Sequence, residues 1–220
     1  MPRVILVRHG QASAGTDNYD RLSPKGVRQA TLLGEFWARQ NVNVDAAFNG
    51  TLERQQHTAK LALQPLTCSP DVTVLPAIDE YDHTKVDLVH GEGITSDGGA
   101  IEFDDYLNIM RHWKNTPDAD KHSLESFQHF EQRGWQAIRE AALKAEPRAT
   151  LVFFTSGGIV STVLQQVLSL SFEQTMHLIW ETRNASITQL HVSENASYML
   201  DYNTVPHLLA ENDKTLITQI

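Results

Sequence analysis

The chain begins with an apolar, β-branched run, Val4-Ile5-Leu6-Val7, held between Arg3 and Arg8. It reads as a strand from Arg3 to Arg8 that ends in a polar cluster, Arg8-His9-Gly10. Helix-like and strand-like runs then alternate. Ser23-Pro24 marks a helix start, because serine caps well and proline's missing N–H is no loss at the first helical position. Val27, Ala30, Leu33 and Trp37 continue it at helical spacing to about Gln40. Asp45 to Asn49 reads as a strand, Gly50 as a turn, and Thr51 as the cap of a helix reaching about Leu63. Val72 to Leu75 is another short strand, and the glycine-bearing segment from Pro76 to Ala100 reads as irregular. Helices follow over about Phe103–Lys114 and Ser123–Ala145. The clearest strand, Thr150 to Thr155, runs into Gly157-Gly158 and a helix to about Leu168. A short helix, Phe172 to Glu181, precedes a hairpin of Ser186–His191 with Tyr198–Tyr202. This alternation implies a three-layer α/β/α sandwich around a mostly parallel central sheet. It is expected to form a single domain over 1–220, with an irregular loop and helical insertion around 76–145.

Composition narrows the function. A chain of 220 residues can bury roughly 70% of its unfolded surface, so no covalent staple is needed. The single cysteine, Cys68, cannot form an internal disulfide, and a reducing, cytoplasmic setting is expected. With 18 basic and 27 acidic side chains the formal charge is −9, which argues against a nucleic-acid partner. The first apolar run is too short for a secretory core. The later stretch Leu151 to Leu170 is broken by Gly157-Gly158 and Gln165-Gln166, so no membrane role is expected either. Asn184-Ala185-Ser186 and Asn195-Ala196-Ser197 match the glycosylation sequon and are expected to be chance matches.

In open α/β sheets, ligands bind beyond the carboxyl ends of the strands. That directs attention to Arg8-His9-Gly10, Gly50 to Arg54, Pro76 to His83 and Thr155 to Gly158. Arginine is rarely buried unpaired, and an anion would satisfy Arg8 while Gly10 lets the backbone approach it. Arg54 lies just inside a helix that starts at a strand end, where N–H groups and the dipole favour an anion. Two arginines can hold a phosphate by bidentate bonds, although a lone arginine is more often simply solvated.

Several landmarks now stand in order: Leu6-Val7-Arg8-His9-Gly10-Gln11, then Leu22-Ser23-Pro24-Lys25-Gly26 with Gln29-Ala30, then Leu52-Glu53-Arg54 with Thr58-Ala59. Ile78-Asp79-Glu80, Glu125-Ser126 and Asn184-Ala185-Ser186-Ile187 follow. From about Val4 to Leu190 the chain resembles the histidine phosphatase superfamily, also called phosphoglycerate mutase-like. The resemblance implies the corresponding sandwich fold and a set of roles. His9 would be the nucleophile, forming a phosphohistidine and splitting one displacement into two. Its ring must be neutral, with the other nitrogen donating to a carbonyl or carboxylate. Arg8 and Arg54 would neutralise the phosphoryl oxygens, with Gln11 and Gly157 among the phosphate-binding groups. Glu80 would protonate the leaving alcohol and then activate water. No metal or other cofactor is implied, because the guanidinium groups take that place.

One position departs from the pattern. The superfamily normally carries a second histidine in a Ser-His-Gly-Gly context, and this chain has Thr155-Ser156-Gly157-Gly158. Serine donates one hydrogen bond but carries no charge. Ser156 and nearby N–H groups can still bind phosphate with altered catalysis, or His83, three residues after Glu80 and preceded by Asp82, can compensate. Alternatively the pocket only binds phosphorylated ligands. Ser156 can also serve as a helix N-cap under any of these readings.

The expected activity is therefore that of a phosphomonoester hydrolase acting on a phosphorylated small molecule or a phosphoprotein. The alternative is a catalytically weak or inactive relative that binds such ligands. Phosphoglycerate mutase activity is disfavoured, because that pattern pairs the nucleophile with the absent histidine. Other chemistries have less support. Asp82, His83, Asp87, His90 and Glu92 lack metal-site spacing. Ser156 lacks the preceding glycine of a serine-hydrolase elbow. Gly91 to Gly99 lacks the Gly-Lys-Ser/Thr ending of a nucleotide loop and reads as a connection over the pocket. Trp113, Trp135 and Trp180 would be interface residues in a binding module, but tryptophan at helical spacing is more often core. No feature of the chain sets the oligomeric state.

Overall fold

In the computed structural model, which describes residues 1–13, 18–91, 101–116 and 124–219, the opening apolar run forms β1 (Arg3–Arg8) near the middle of a six-stranded sheet. The other strands are β2 (Ala46–Asn49), β3 (Val72–Val74), β4 (Thr150–Thr155), β5 (Ile187–Val192) and β6 (Ser197–Thr204), in the order β3-β2-β4-β1-β5-β6. The β1–β4, β2–β4 and β2–β3 pairs are parallel, and β5 and β6 close one edge antiparallel.

Alternation along β1 and β4 builds the layers, since successive strand side chains face opposite sides. Val4, Leu6, Leu151 and Phe153 enter the core beneath α3 (His83–His90), α4 (Phe103–Asn115), α5 (Phe127–Lys144), α6 (Gly157–Leu168) and α7 (Phe172–Glu181). Ile5, Val7, Val152 and Phe154 enter the core beneath α1 (Pro24–Arg39) and α2 (Glu53–Leu63). The strands thus read as continuous apolar runs because both faces are covered. No helix among the described residues is long and apolar enough to cross a membrane.

The strands and long helices lie where the apolar periods place them. Ser23 caps α1 by accepting the Gly26 N–H at 3.0 Å, with Pro24 in the first turn. Differences come where a distant partner decides. Thr51 is not the cap of α2: Leu52 stands at that position without a side-chain bond, and the Asp20 carboxylate takes the Glu53 N–H at 2.8 Å. The segment after β3 is not wholly irregular. Pro76–Ile78 forms a 3-10 turn, and α3 begins at His83, capped by Asp82 accepting the Lys85 N–H. α5 starts at Phe127 with Ser126 as its cap, later than the expected Ser123, which lies outside the described residues, as do Glu92, Gly93, Gly98 and Gly99. Trp113 is wholly buried, while Trp135 and Trp180 are half-buried.

After β6 come α8 (Pro206–Leu209) and a 3-10 turn, Lys214–Leu216, neither foreseen. They form a small core with Leu32, Val205, Leu208 and Leu216. His207 is fully buried there, and neither ring nitrogen has a partner among the described residues. Burial lowers its pKa from 6.5 to about 3. The unfolded chain takes up this proton near pH 6.5 and the folded chain does not until about pH 3, so the stability it contributes falls as pH drops through that window. Replacing it (His207→Leu) is expected to reduce the slope of stability against pH by about 1.4 kcal/mol per unit between those limits, with no change above pH 7. Urea denaturation midpoints across pH 4–8 measure this, and an unchanged slope would contradict it.

Candidate active site

The carboxyl end of β1 carries the site. The His9 backbone is held on both sides: its N–H donates to the Thr155 carbonyl at 2.9 Å, and its own carbonyl accepts the Ala185 N–H at 3.1 Å. Gly10 has to be glycine, since a Cβ there would stand 2.5 Å from the Gly26 carbonyl oxygen. The His9 ring is buried, with Nδ1 2.7 Å from the Gly10 carbonyl and Nε2 3.1 Å from Arg54 Nε. A carbonyl only accepts and a guanidinium only donates. The ring is therefore the neutral Nδ1–H tautomer, with the Nε2 lone pair turned toward Arg54. Burial, followed by the charges of Arg54 and Arg8, holds its pKa well below the ordinary 6.5.

Arg54 lies in the first turn of α2 and is buried. Asp20 bonds its guanidinium at 2.7 Å, and the Tyr19 ring lies 5.5 Å from it. The threonine one turn along ties the two motifs together: the Thr58 hydroxyl donates to the Arg54 carbonyl at 2.7 Å and accepts the Gly10 N–H at 3.1 Å. Arg8 donates to the Thr182 carbonyl, while its Nε is buried without a partner among the described residues. That Nε lies 3.5 Å from where a Cβ on Gly157 would stand, so Arg8 packs against the start of α6.

Glu80 arrives from the 3-10 turn. Arg133 braces that turn by donating to the Ala77 carbonyl at 2.7 Å, and Glu125 in turn pairs with Arg133. Glu125-Ser126 is thus a structural landmark, one residue holding the brace and the other capping α5. One Glu80 oxygen accepts the Gly158 N–H at 2.8 Å and the other the Tyr81 N–H at 3.2 Å. Burial raises the carboxyl's pKa above the ordinary 4.5, against the opposing pull of the Gly158 N–H, Arg54 and Arg8. The site therefore joins a neutral base to an acid inclined to keep its proton.

Ser156 is fully buried at the N-cap position of α6, but its side chain makes no capping bond. Its Oγ instead accepts the Gln55 amide at 2.9 Å. His83 is exposed at the start of α3, its ring 5.1 Å from that of Tyr19. Asp82 is occupied as a helix cap and does not orient that ring. Gln11 lines a cleft of about 400 Å³ with Arg8, His9, Tyr19, Asn184 and Gln219, its Oε1 accepting the Ser23 hydroxyl at 2.9 Å. A larger cavity of about 660 Å³, lined by Arg3, Trp37 and Asp201 among others, holds none of the candidate site residues. Among the described residues no group of three His, Cys, Asp or Glu side chains is placed to hold a metal ion. Asp20, Gln55 and Asn184 were absent from the site read from sequence, although Gln55 lies inside the second arginine motif and Asn184 opens the last landmark.

A neutral histidine, two arginines and a protonatable glutamate thus converge at the strand ends. Residues 4–205 match the histidine phosphatase superfamily (branch 1), and the chain belongs to that family. It is similar to a phosphoglycerate mutase of Candida albicans, 36% identical over 69 residues that span 29% of this chain and only 28% of that relative. It is also similar to the adenosylcobalamin/alpha-ribazole phosphatase of Escherichia coli, 23% identical over 181 residues, or 80% of this chain and 83% of the relative. A crystal structure of a putative alpha-ribazole-5'-P phosphatase from Escherichia coli superposes with a TM-score of 0.67 at 21% identity, covering 93% of this chain and 98% of that one. At that identity the likeness speaks to the fold.

The glycine at 158 makes the acid's position testable. A Cβ there would stand 2.1 Å from Glu80 Oε1 and 2.8 Å from the Phe130 ring. Gly158→Ala is expected to push the carboxylate off the helix start and lower turnover of an alkyl phosphate about 10-fold or more, within the range general acids contribute. Steady-state assays beside a thermal melt that still shows one cooperative transition would establish it. Wild-type turnover would refute it.

Proposed function

We propose that the chain is a phosphomonoester hydrolase that works through a phosphohistidine at His9. The observation that carries this reading is the ring's tautomer: Nδ1–H is committed to the Gly10 carbonyl, which leaves Nε2 as the only lone pair, held by Arg54. When a phosphoryl group enters, its oxygens take over the Arg54 N–H and the unpartnered Arg8 Nε, and Nε2 becomes free to attack. The Nε2–P bond forms as the P–O bond to the alcohol breaks, and Glu80 gives its proton to the departing oxygen. The ionised Glu80 then takes a proton from water, the water oxygen attacks phosphorus, and the N–P bond breaks. Inorganic phosphate leaves, and His9 and Glu80 return to their starting states. The two guanidinium groups supply the charge, so the scheme requires no metal.

The cleft favours hydrolysis over a mutase reaction. Beyond Arg8 its described lining offers Gln11, Tyr19, Ser23, Asn184 and Gln219, none a cation to match a second anionic group on the substrate. A phosphorylated small molecule with an uncharged alcohol portion fits this lining. A phosphoprotein side chain has the same phosphoryl chemistry. The reading as a binding module without turnover rests on Ser156, and it predicts that no phosphoenzyme forms. His83 is exposed with its ring 5.1 Å from that of Tyr19, and the proposed reaction gives it no role at the phosphoryl group.

Alkaline quenching after mixing with p-nitrophenyl phosphate is expected to trap acid-labile phosphate on His9, absent from His9→Ala. Unimpaired turnover by His9→Ala would overturn the mechanism. Glu80→Gln should slow alkyl phosphates about 10²–10⁴-fold and p-nitrophenyl phosphate far less, because that leaving group needs no proton. In the wild type, kcat/KM for alkyl phosphates should fall on the alkaline side as Glu80 ionises, with a midpoint above 4.5. A Glu80→Gln enzyme that keeps that limb would assign it elsewhere.

A further inference from the structure

We infer that Gln55 is a positioning residue for phosphoryl transfer, turning the Ser156 hydroxyl into a neutral donor to the phosphoryl group. The inference rests on the proposed phosphohistidine reaction and adds to it a residue that follows Arg54 directly in α2.

The argument is one of hydrogen-bond polarity. Gln55 is fully buried, and its amide nitrogen lies 2.9 Å from Ser156 Oγ and 3.3 Å from the Ile78 carbonyl oxygen. A carbonyl oxygen only accepts, so the Gln55 atom facing it must be the nitrogen. That nitrogen donates to Ser156 Oγ, and the serine therefore receives a bond rather than giving one. Its own O–H hydrogen has no acceptor among the bonds of the described residues. Turning the amide would set its oxygen 3.3 Å from the Ile78 carbonyl oxygen, which also accepts the Thr155 hydroxyl at 2.6 Å; in the present pose Gln55 Oε1 is buried without a partner among the described residues. Its Oε1 lies 2.0 Å from where a Cβ on Gly50 would stand, so only glycine at that position admits the side chain in this pose.

Ser156 is placed where such a donor is useful. Thr155 before it is paired with Arg8 across the sheet, and the Thr155 carbonyl holds the His9 N–H. Gly157 after it packs against the unpartnered Arg8 Nε, and the Gly158 N–H holds Glu80. Nucleophile, cation and acid are thus each tied to the four-residue stretch that contains Ser156. A buried hydroxyl hydrogen without an acceptor is costly to leave unpaired, and a phosphoryl oxygen supplies the missing acceptor. The Gln55 bond also polarises the hydroxyl, since hydrogen bonds in a chain strengthen one another.

The test is a double-mutant cycle on the single-turnover rate of His9 phosphorylation by p-nitrophenyl phosphate, with calorimetric affinity for inorganic phosphate and a thermal melt on every protein. Ser156→Ala is expected to slow phosphorylation about 10²-fold, the usual effect of removing one transition-state donor. Gln55→Met, similar in length but without a donor, should slow it about 10-fold and weaken phosphate binding. The double variant should be no slower than Ser156→Ala alone, because Gln55 acts only through the serine. Should Gln55→Met fail to fold, Gln55→Glu keeps the shape. Its ionised carboxylate can only accept, so it should draw the serine hydrogen to itself and lose activity increasingly as pH rises. Wild-type rates in folded Gln55→Met or Gln55→Glu, or multiplicative effects in the double variant, would overturn the inference while leaving the phosphohistidine intact. Failure of the wild type to form phosphohistidine would instead remove the proposed reaction. The calorimetric arm would then decide the Gln55–Ser156 pair alone, unchanged phosphate affinity in both single variants counting against it.

Discussion

The site depends on the His9 backbone being fixed from three directions. Parallel pairing of β1 with β4 sets Arg8 opposite Thr155 and puts the His9 N–H on the Thr155 carbonyl. The turn before β5 closes the other side through Ala185, and Thr58 of α2 anchors the Gly10 N–H. With the peptide so held, the Gly10 carbonyl lies 2.7 Å from the histidine's own Nδ1, and the tautomer follows. A nucleophile oriented by main chain costs no reorganisation when the substrate arrives. The same bonds join the sheet, α2 and the C-terminal hairpin, so the fold's central junction and the proposed nucleophile coincide.

Around that junction, one physical cause acts on two groups with opposite sign. Burial disfavours charge, so it favours the neutral imidazole and raises the pKa of the Glu80 carboxyl. Arg54 and Arg8 reinforce the first effect and oppose the second. The arginines are not equivalent. Arg54 is committed to Asp20, to His9 and to the face of Tyr19. Arg8 has only a backbone carbonyl and a buried N–H without a partner among the described residues. An unpaired buried guanidinium N–H is costly, so Arg8 gains most from an incoming anion.

Much of this was legible in sequence for a definite reason. Strand and helix periods set the sheet and the long helices, and Arg8, His9, Arg54 and Glu80 all fall at element boundaries where periodicity changes. What stayed hidden were contacts made at long range. Asp20 caps α2 and holds Arg54 from more than thirty residues away, a role that local pattern assigned to Thr51. Ser156 looked like a helix cap because serine before Gly-Gly suits that role, yet its hydroxyl turns to Gln55, 101 positions distant. The 3-10 turn and α3 were obscured by the glycines that follow them, and α8 by its length of four residues.

On the proposed reading, a serine at the expected second-histidine position changes the charge of the site more than its hydrogen-bond count. With burial favouring the neutral forms of His9 and Glu80, the remaining charges of the proposed phosphoryl site are Arg8, Arg54 and the carboxylate of Asp20. A second imidazolium would add to them; a hydroxyl does not. The −9 charge of the whole chain opposes an approaching anion at long range, but beyond about 8 Å that field is screened at physiological salt. Attraction therefore acts mainly at contact, through two guanidinium groups partly neutralised by one carboxylate. In a loose phosphoryl-transfer transition state, negative charge accumulates on the departing oxygen. A site with less positive charge on the phosphoryl side must remove that charge by proton transfer, and the residue able to do so is Glu80. In the proposed mechanism, the 3-10 turn, the Arg133 brace and the Gly158 N–H that position Glu80 are thereby as important to turnover as the cations themselves.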